Sequence, residues 1–316
     1  MIDYIRRWLR EGVHLSSRSS VRRGGIALAD QFVASATNFL TGIIVGRVCA
    51  QEEFGLYLLG FSIVQVAIRL QTSLVYSPYM VFSPRLSLGE KAKYGGSTLL
   101  HQFGISALCV VVLILAGVAL TIGVGPEGLT PVVWALACTM LFILLREYAR
   151  NVYFAELRFT AALVLDATVS ILQIGALLLL ARFGLLNAGI LFWTTGFACG
   201  LAGMVWLCKS RSSLAPQLAR VVPDLGRNWG FGKWIFASSL VFDISAYSYP
   251  WILTYYHGPA STGVWAACFG AVAITNPIVI GMVNHIGPEI VHSFAAGGIS
   301  ALRRMVRKTN FAFLLL

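Results

Sequence analysis

The sequence predicts an all-α polytopic membrane protein, and three observations carry that prediction. Of its 316 residues 57% are hydrophobic and only 12% charged, with a mean hydropathy of +0.76, too apolar for a soluble domain of this length. Eight apolar runs, near 24–46, 54–76, 99–123, 131–149, 159–181, 185–208, 231–253 and 262–285, each approach the roughly 20 residues that a helix needs to cross a bilayer. Placing the N-terminus inside puts all but three of the 24 Lys and Arg residues in inner segments: Arg47 and Arg182 fall outside, and Arg69 lies within a span. The net charge of +11 is thus explained by topology, and no nucleic-acid partner is expected.

Taken in order, residues 1–23 interleave Ile2, Trp8 and Leu9 with Arg6, Arg7 and Arg10, the pattern of a basic amphipathic segment on an anionic cytoplasmic leaflet. They lack the apolar core and cleavage site of a signal peptide. The first two spans carry one ionisable residue each, Asp30 and Arg69. A charge at mid-membrane costs roughly 2.5–3.5 kcal/mol, so both are expected to face protein or a watery cavity.

On a helical wheel Asp30, Gln31, Ser35, Thr37, Asn38 and Thr41 share one side of the first span, and Ser62, Gln65, Arg69, Thr72 and Ser73 share one stripe of the second. Asp30 and Arg69 sit at a common depth of about 10 Å, placed to pair with each other. Such a pair either fixes helix register or forms a charged patch on a substrate path. The connector SPYMVFSPR is expected to break the helix near Ser77, at Pro78.

The third span is a lipid-facing scaffold after His101 and Gln102. Arg146, Glu147, Arg150, Glu156 and Arg158 then suggest a solvated helical elbow beyond the fourth. Asp166, Ser170 and Gln173 mark one face of the fifth. Gly196, Gly200 and Gly203 of the sixth fit close helix packing.

Residues 24–208 are therefore expected to form a first six-helix bundle, 209–230 a flexible basic cytoplasmic linker, and 231–316 the start of a second bundle. Asp243 lies near the centre of the seventh span with Ser239 and Tyr247 a turn to either side, and Asn276 precedes Pro277 in the eighth, where a kink would free a carbonyl. A ninth apolar run starts near Asn310 and stops at Leu316, so the chain is expected to end inside a helix, two and a half helices into the second bundle. A weak repeat supports the division. FGLYLLGFSIV at 54–64 and TGVWAACFGAV at 262–272 align Gly55 with Gly263, Phe61 with Phe269 and Val64 with Val272.

No GxxxxGK[ST] loop and no HExxH occurs, and the six cysteines form no CxxC pair. Outer loops are short and nearly free of acids. Neither an enzyme nor a metal or cofactor site is expected.

The opening RRGGIALADQFVASATNFLTGIIVGRVCAQEEFGLYLLGFSIVQ, followed by SPYMVFSPR, resembles bacterial polysaccharide-biosynthesis membrane proteins of the O-antigen flippase type, in the multidrug, oligosaccharidyl-lipid and polysaccharide exporter superfamily. The resemblance implies a two-bundle exporter fold of 6+6 helices around a central cavity in the bacterial inner membrane. It implies flipping of an undecaprenyl-diphosphate-linked oligosaccharide by alternating access, driven by an ion gradient of H+ or Na+, beside membrane lipids, polysaccharide polymerase and assembly proteins. Arg69 is then the candidate for the anionic headgroup, with Gln65, Asn38 and Gln173 for sugar hydroxyls and Asp30, Asp166 and Asp243 for the coupling ion. The alternatives are a cation-coupled multidrug exporter of the same superfamily, or a non-transporting scaffold of an envelope-assembly complex.

Overall fold

The computed structural model describes residues 18–272 and 276–314. Most of the N-terminal amphipathic segment and the outermost C-terminal residues lie outside them, as do the side chains around Asn276 and Asn310. Among the described residues every regular element is helical.

The helices are α1 (Arg18–Val48), α2 (Gln51–Gln71), α3 (Ser77–Phe82), α4 (Leu88–Thr121), α5 (Thr130–Ala155), α6 (Phe159–Arg182), α7 (Ala188–Ser210), α8 (Leu218–Val272) and α9 (Asn276–Leu314). Among the described residues six stretches are long and apolar enough to cross a membrane: α1, the α2–α3 arm, α4, α5, α6 and α7. The seventh expected span is helical within α8, the described parts of the eighth fall in the end of α8 and the start of α9, and neither is in that set. Serines, tyrosines and Asp243 dilute the first half of α8.

Local sequence explains the boundaries. Ser87 accepts the Glu90 amide and caps α4, while Asn187 accepts the Ile190 amide at 2.8 Å and caps α7. Glu53 accepts the Ala188 amide at 2.6 Å, adding a carboxylate at the positive end of α7. Gly184, at φ 66°, closes α6 with Leu185 N–H bonded to the Leu180 carbonyl, the left-handed turn that glycine adopts without strain. In α8, Gly258 at φ 80° divides 218–257 from 259–272 and turns the chain back.

α5 is the axis of the first bundle, with 72% of its apolar window buried against 17% for α4. Leu136, Met140, Leu144 and Tyr148 of α5 are almost fully enclosed. Apolar burial alone does little to join helices in lipid, so close approach matters more. A Cβ on Gly196 would fall on Thr139, and those on Gly200 and Gly203 would stand 3.1 Å from Phe142 and Leu145. The small-residue face of α7 is thus seated on α5, as its spacing predicts. The outer flank of α4, including Leu108, Val111 and Leu115, is exposed, as expected of a lipid-facing helix.

Three local expectations are corrected. The helix does not break near Ser77: a π-turn, Thr72–Tyr76, carries α2 into α3, and the break comes at the 3-10 turn Ser83–Arg85. The wider π-turn absorbs Pro78 at the start of α3, where its missing N–H costs little. The connector after α7 is not a slack tether, because 218–228 is already part of α8. Asn228 is fully buried, accepting from Tyr94 at 2.7 Å, and Arg227 lies 3.8 Å over the Phe82 ring. The third correction, the elbow after the fourth span, belongs to the site below.

The first bundle meets α8 and α9 along two seams. α2 runs antiparallel to α8, pairing Ser62 with Trp251, Arg69 with Asp243, and Ser73 with Gly232. Near the Gly258 turn the two glycines matched by the repeat meet. A Cβ on Gly55 would strike the Pro259 carbonyl, and one on Gly263 the Gln51 carbonyl, four residues earlier in each case. That reciprocity is what a two-fold relation between repeated hairpins produces. α1 packs on α9, with Gly281 set against Leu28 and Gln31.

Candidate functional site

Two charge assemblies occupy the membrane-spanning part of the molecule. The first lies inside the first bundle. Arg150 of α5 donates from its Nε to Asp166 at 2.7 Å and from Nη2 to Asp30 at 2.8 Å, tying α1 and α6 to the axial helix. Arg146, one turn earlier, donates to the other Asp166 oxygen at 2.7 Å and to Glu147 at 2.9 Å. Asp30 and Asp166 are wholly buried, and Phe154 stacks 4.7 Å from the Arg150 guanidinium.

Three carboxyl groups face two guanidiniums, and Asp30 Oδ1 has no hydrogen-bond partner. A polar seam continues outward from here. Ser170 donates to the Asp166 carbonyl and sits 2.7 Å from the Thr37 hydroxyl, and Gln173 donates to Thr41 at 3.2 Å.

This arrangement corrects two expectations. Asp30 pairs with Arg150, not with Arg69, and Arg146, Glu147 and Arg150 are internal counter-charges instead of a solvated elbow. The available signal was the acids themselves. Asp30 and Asp166, buried in apolar helices, require cations, and Arg146 and Arg150 are spaced i, i+4 on one face.

The second assembly lies between the first bundle and α8. Arg69 Nε stands 3.6 Å from Asp243 Oδ1, with the arginine side chain 45% exposed and the aspartate 2%. That separation is an ion pair without a hydrogen bond. The arginine partner of Asp243 is supplied by α2. Phe242 lies 5.8 Å under the guanidinium. Arg69, Ser238, Ser239 and Phe242 line a cavity of about 280 Å3.

Of the other expected sugar contacts, Gln65 is one turn from Arg69 on α2, Asn38 is exposed on α1, and Gln173 is buried in the α1–α6 seam. None of the three lines this cavity. A larger concavity of about 440 Å3, between Phe32, Leu40, Ile171 and Leu178, carries no charge and lies on the apolar flank of α1 and α6. The Arg69 cavity has the chemistry of a site and the larger one does not. Among the described residues no group of three His, Cys, Asp or Glu side chains is arranged to hold a metal ion.

No protein-family description and no curated protein matches the chain. Solved structures do. The fold is similar to that of the MATE multidrug transporter DinF-BH in complex with R6G, with a TM-score of 0.80 at 17% identity over 94% of this chain and 70% of that one. It is also similar to a MOP superfamily transporter from Pyrococcus furiosus, described as having a binding pocket of reverse polarity that suggests a different function. There the TM-score is 0.72 at 14% identity, over 93% and 69%. A MATE protein in the straight conformation gives 0.71 at 15% identity, over 93% and 69%. At such identities the likeness shows the fold alone: the chain shares the helical fold of these structures and spans about seven-tenths of their length.

Proposed function

We propose that this chain is a membrane exporter that moves its substrate by alternating access between the first bundle and the α8–α9 group. The observation that carries this reading is the loose Arg69–Asp243 pair at the boundary between the two groups, with Arg69 lining a cavity there. An ion pair set beyond hydrogen-bonding distance, with one member half exposed, can be opened by a charged ligand without stranding a tightly satisfied group. The structures of similar fold include a MATE multidrug transporter and a MOP superfamily transporter, which supports multidrug-type export as the first substrate reading. A cationic substrate or a coupling H+ or Na+ would take Asp243 and release Arg69. Asp30 and Asp166 are proposed as further coupling groups, but Arg146 and Arg150 already hold them by hydrogen bonds, whereas Asp243 is held only by the longer pair with Arg69.

One observation favours a second reading, flipping of an undecaprenyl-diphosphate-linked oligosaccharide. The exposed guanidinium, flanked by the hydroxyls of Ser238 and Ser239, suits phosphate oxygens better than a cationic drug. The resemblance of residues 24–90 points the same way, and would place the protein in a bacterial inner membrane among polysaccharide-assembly partners.

Proteoliposomes separate the two. With a cationic dye as probe, Asp243→Asn is expected to abolish efflux and Arg69→Ala to preserve it. With a fluorescent polyprenyl-diphosphate oligosaccharide, Arg69→Ala is expected to abolish transfer. Movement of neither probe, in protein that remains folded, would return the chain to the scaffold alternative.

A further inference from the structure

Where α1, α5 and the α2–α3 arm meet α9, the contacts change character. Along the α2–α8 seam the glycines bring backbone onto backbone. At the basic end of the molecule the α9 seam is joined by exchangeable polar pairs. Arg23 of α1 lies 3.1 Å from Glu289, Asn284 donates to Gln31 at 3.1 Å, and His292 Nε2 meets the Ala155 carbonyl at 2.8 Å. Arg85, ending the α2–α3 arm, covers the Phe294 ring at 4.9 Å.

Each pair joins residues at least 137 apart in sequence, and each partner on the α9 side lies within about two and a half turns of helix, 284–292. Water can replace every one of these partners, whereas the backbone contacts of the α2–α8 seam, Gly55 with Pro259, Gly263 with Gln51 and Gly232 with Ser73, have no such substitute. Gln31 also follows Asp30 directly, so the pair it makes with Asn284 sits next to the buried charge network.

We propose that Arg23–Glu289, Gln31–Asn284 and the His292–Ala155 carbonyl bond form a latch that holds α9 against α1 and α5 on the basic face and opens to admit ligand between the two groups. The proposal rests on the alternating-access reading, and its test does not require transport. In a chain with its six cysteines replaced by alanine, Ser238→Cys serves as a reporter beside Arg69, labelled in vesicles by a membrane-impermeant maleimide.

Arg23→Glu, Asn284→Ala and His292→Ala are each expected to speed labelling from the basic face by about fivefold, the order expected for loss of one net hydrogen bond. The swap Arg23→Glu/Glu289→Arg should return it to the slow rate. Unchanged labelling in all three single variants, or a swap that stays fast, would overturn the latch. If the single variants do not reach the membrane, Arg23→Cys/Glu289→Cys decides. An induced disulfide should slow labelling below the uncrosslinked rate, and a disulfide without effect refutes the proposal. Failure of the transport reading looks different: neither probe moves, yet labelling still responds to the latch.

Discussion

Arg69 of α2 and Asp243 of α8 face each other at 3.6 Å across the boundary between the first bundle and the helix that follows it. The pair is asymmetric in exposure, and that predicts asymmetric mutants. Arg69→Ala leaves an almost fully buried carboxylate without its counter-charge, whereas Asp243→Ala leaves a half-exposed guanidinium that can turn to water. The first should cost about 1–3 kcal/mol of stability and the second less, with the double variant recovering part of the loss. Thermal unfolding of the four proteins in one detergent measures this cycle. Equal losses in both single variants would contradict the asymmetry.

Arg150 is expected to be the least replaceable residue of the first bundle. Its guanidinium reaches Asp30 and Asp166 from two different nitrogens, and no single ammonium spans both acceptors. Arg150→Ala should destabilise by about 3–5 kcal/mol, the range for a buried pair that loses one partner. Arg150→Lys should recover less than half. Size-exclusion chromatography of a fluorescent fusion reads the fraction that remains monodisperse. Combining Arg150→Ala with Asp30→Asn is expected to restore more folded protein than Arg150→Ala alone.

The amphipathic stripes of the first two spans were legible because they are local. Ser62 and Arg69 share the stripe predicted for the second span, and both meet α8, at Trp251 and Asp243. Pairing was not legible. Asp30 and Arg150 are 120 residues apart, and helical periodicity says which face a charge occupies without saying which helix meets that face. The first charged residues after an apolar run also mark the apparent membrane edge, so Arg146 and Arg150 were assigned to solvent. The π-turn was hidden for a related reason. A proline forbids one hydrogen bond but does not say whether the chain breaks there or widens to pass it.

The segment leading into α8 is fixed by a small polar knot. Tyr94 donates to Asn228 at 2.7 Å, His101 meets the Val221 carbonyl at 2.8 Å, and Asn228 is fully enclosed. Asn228→Ala strands the Tyr94 hydroxyl and should cost about 1–3 kcal/mol, whereas Asn228→Ala/Tyr94→Phe removes both partners and should recover much of that. Trypsin cleavage near Arg211 and Arg220 reports the same event. The single variant is expected to be cut faster, and an unchanged rate would mean that the segment is held by Arg220 and Glu90, 2.5 Å apart, instead.

Glycines at comparable depth should respond in opposite ways, because only some of them are contact points. At Gly55 and Gly263 an added Cβ meets a carbonyl of the opposing helix, and a backbone oxygen cannot rotate away as a side chain can. Gly55→Ala and Gly263→Ala should each force the α2–α8 crossing apart and cost about 1–3 kcal/mol. Because each glycine abuts the chain four residues before the other, the two substitutions act on one crossing, and the double variant should cost less than their sum. Gly175, in the middle of α6, has nothing within 4 Å of where a Cβ would stand. Gly175→Ala gains helix propensity without a clash and should stabilise by up to about 1 kcal/mol. Thermal stability of the four variants orders them, and a loss at Gly175 comparable to that at Gly55 would show that the α6 surface packs against a neighbour after all.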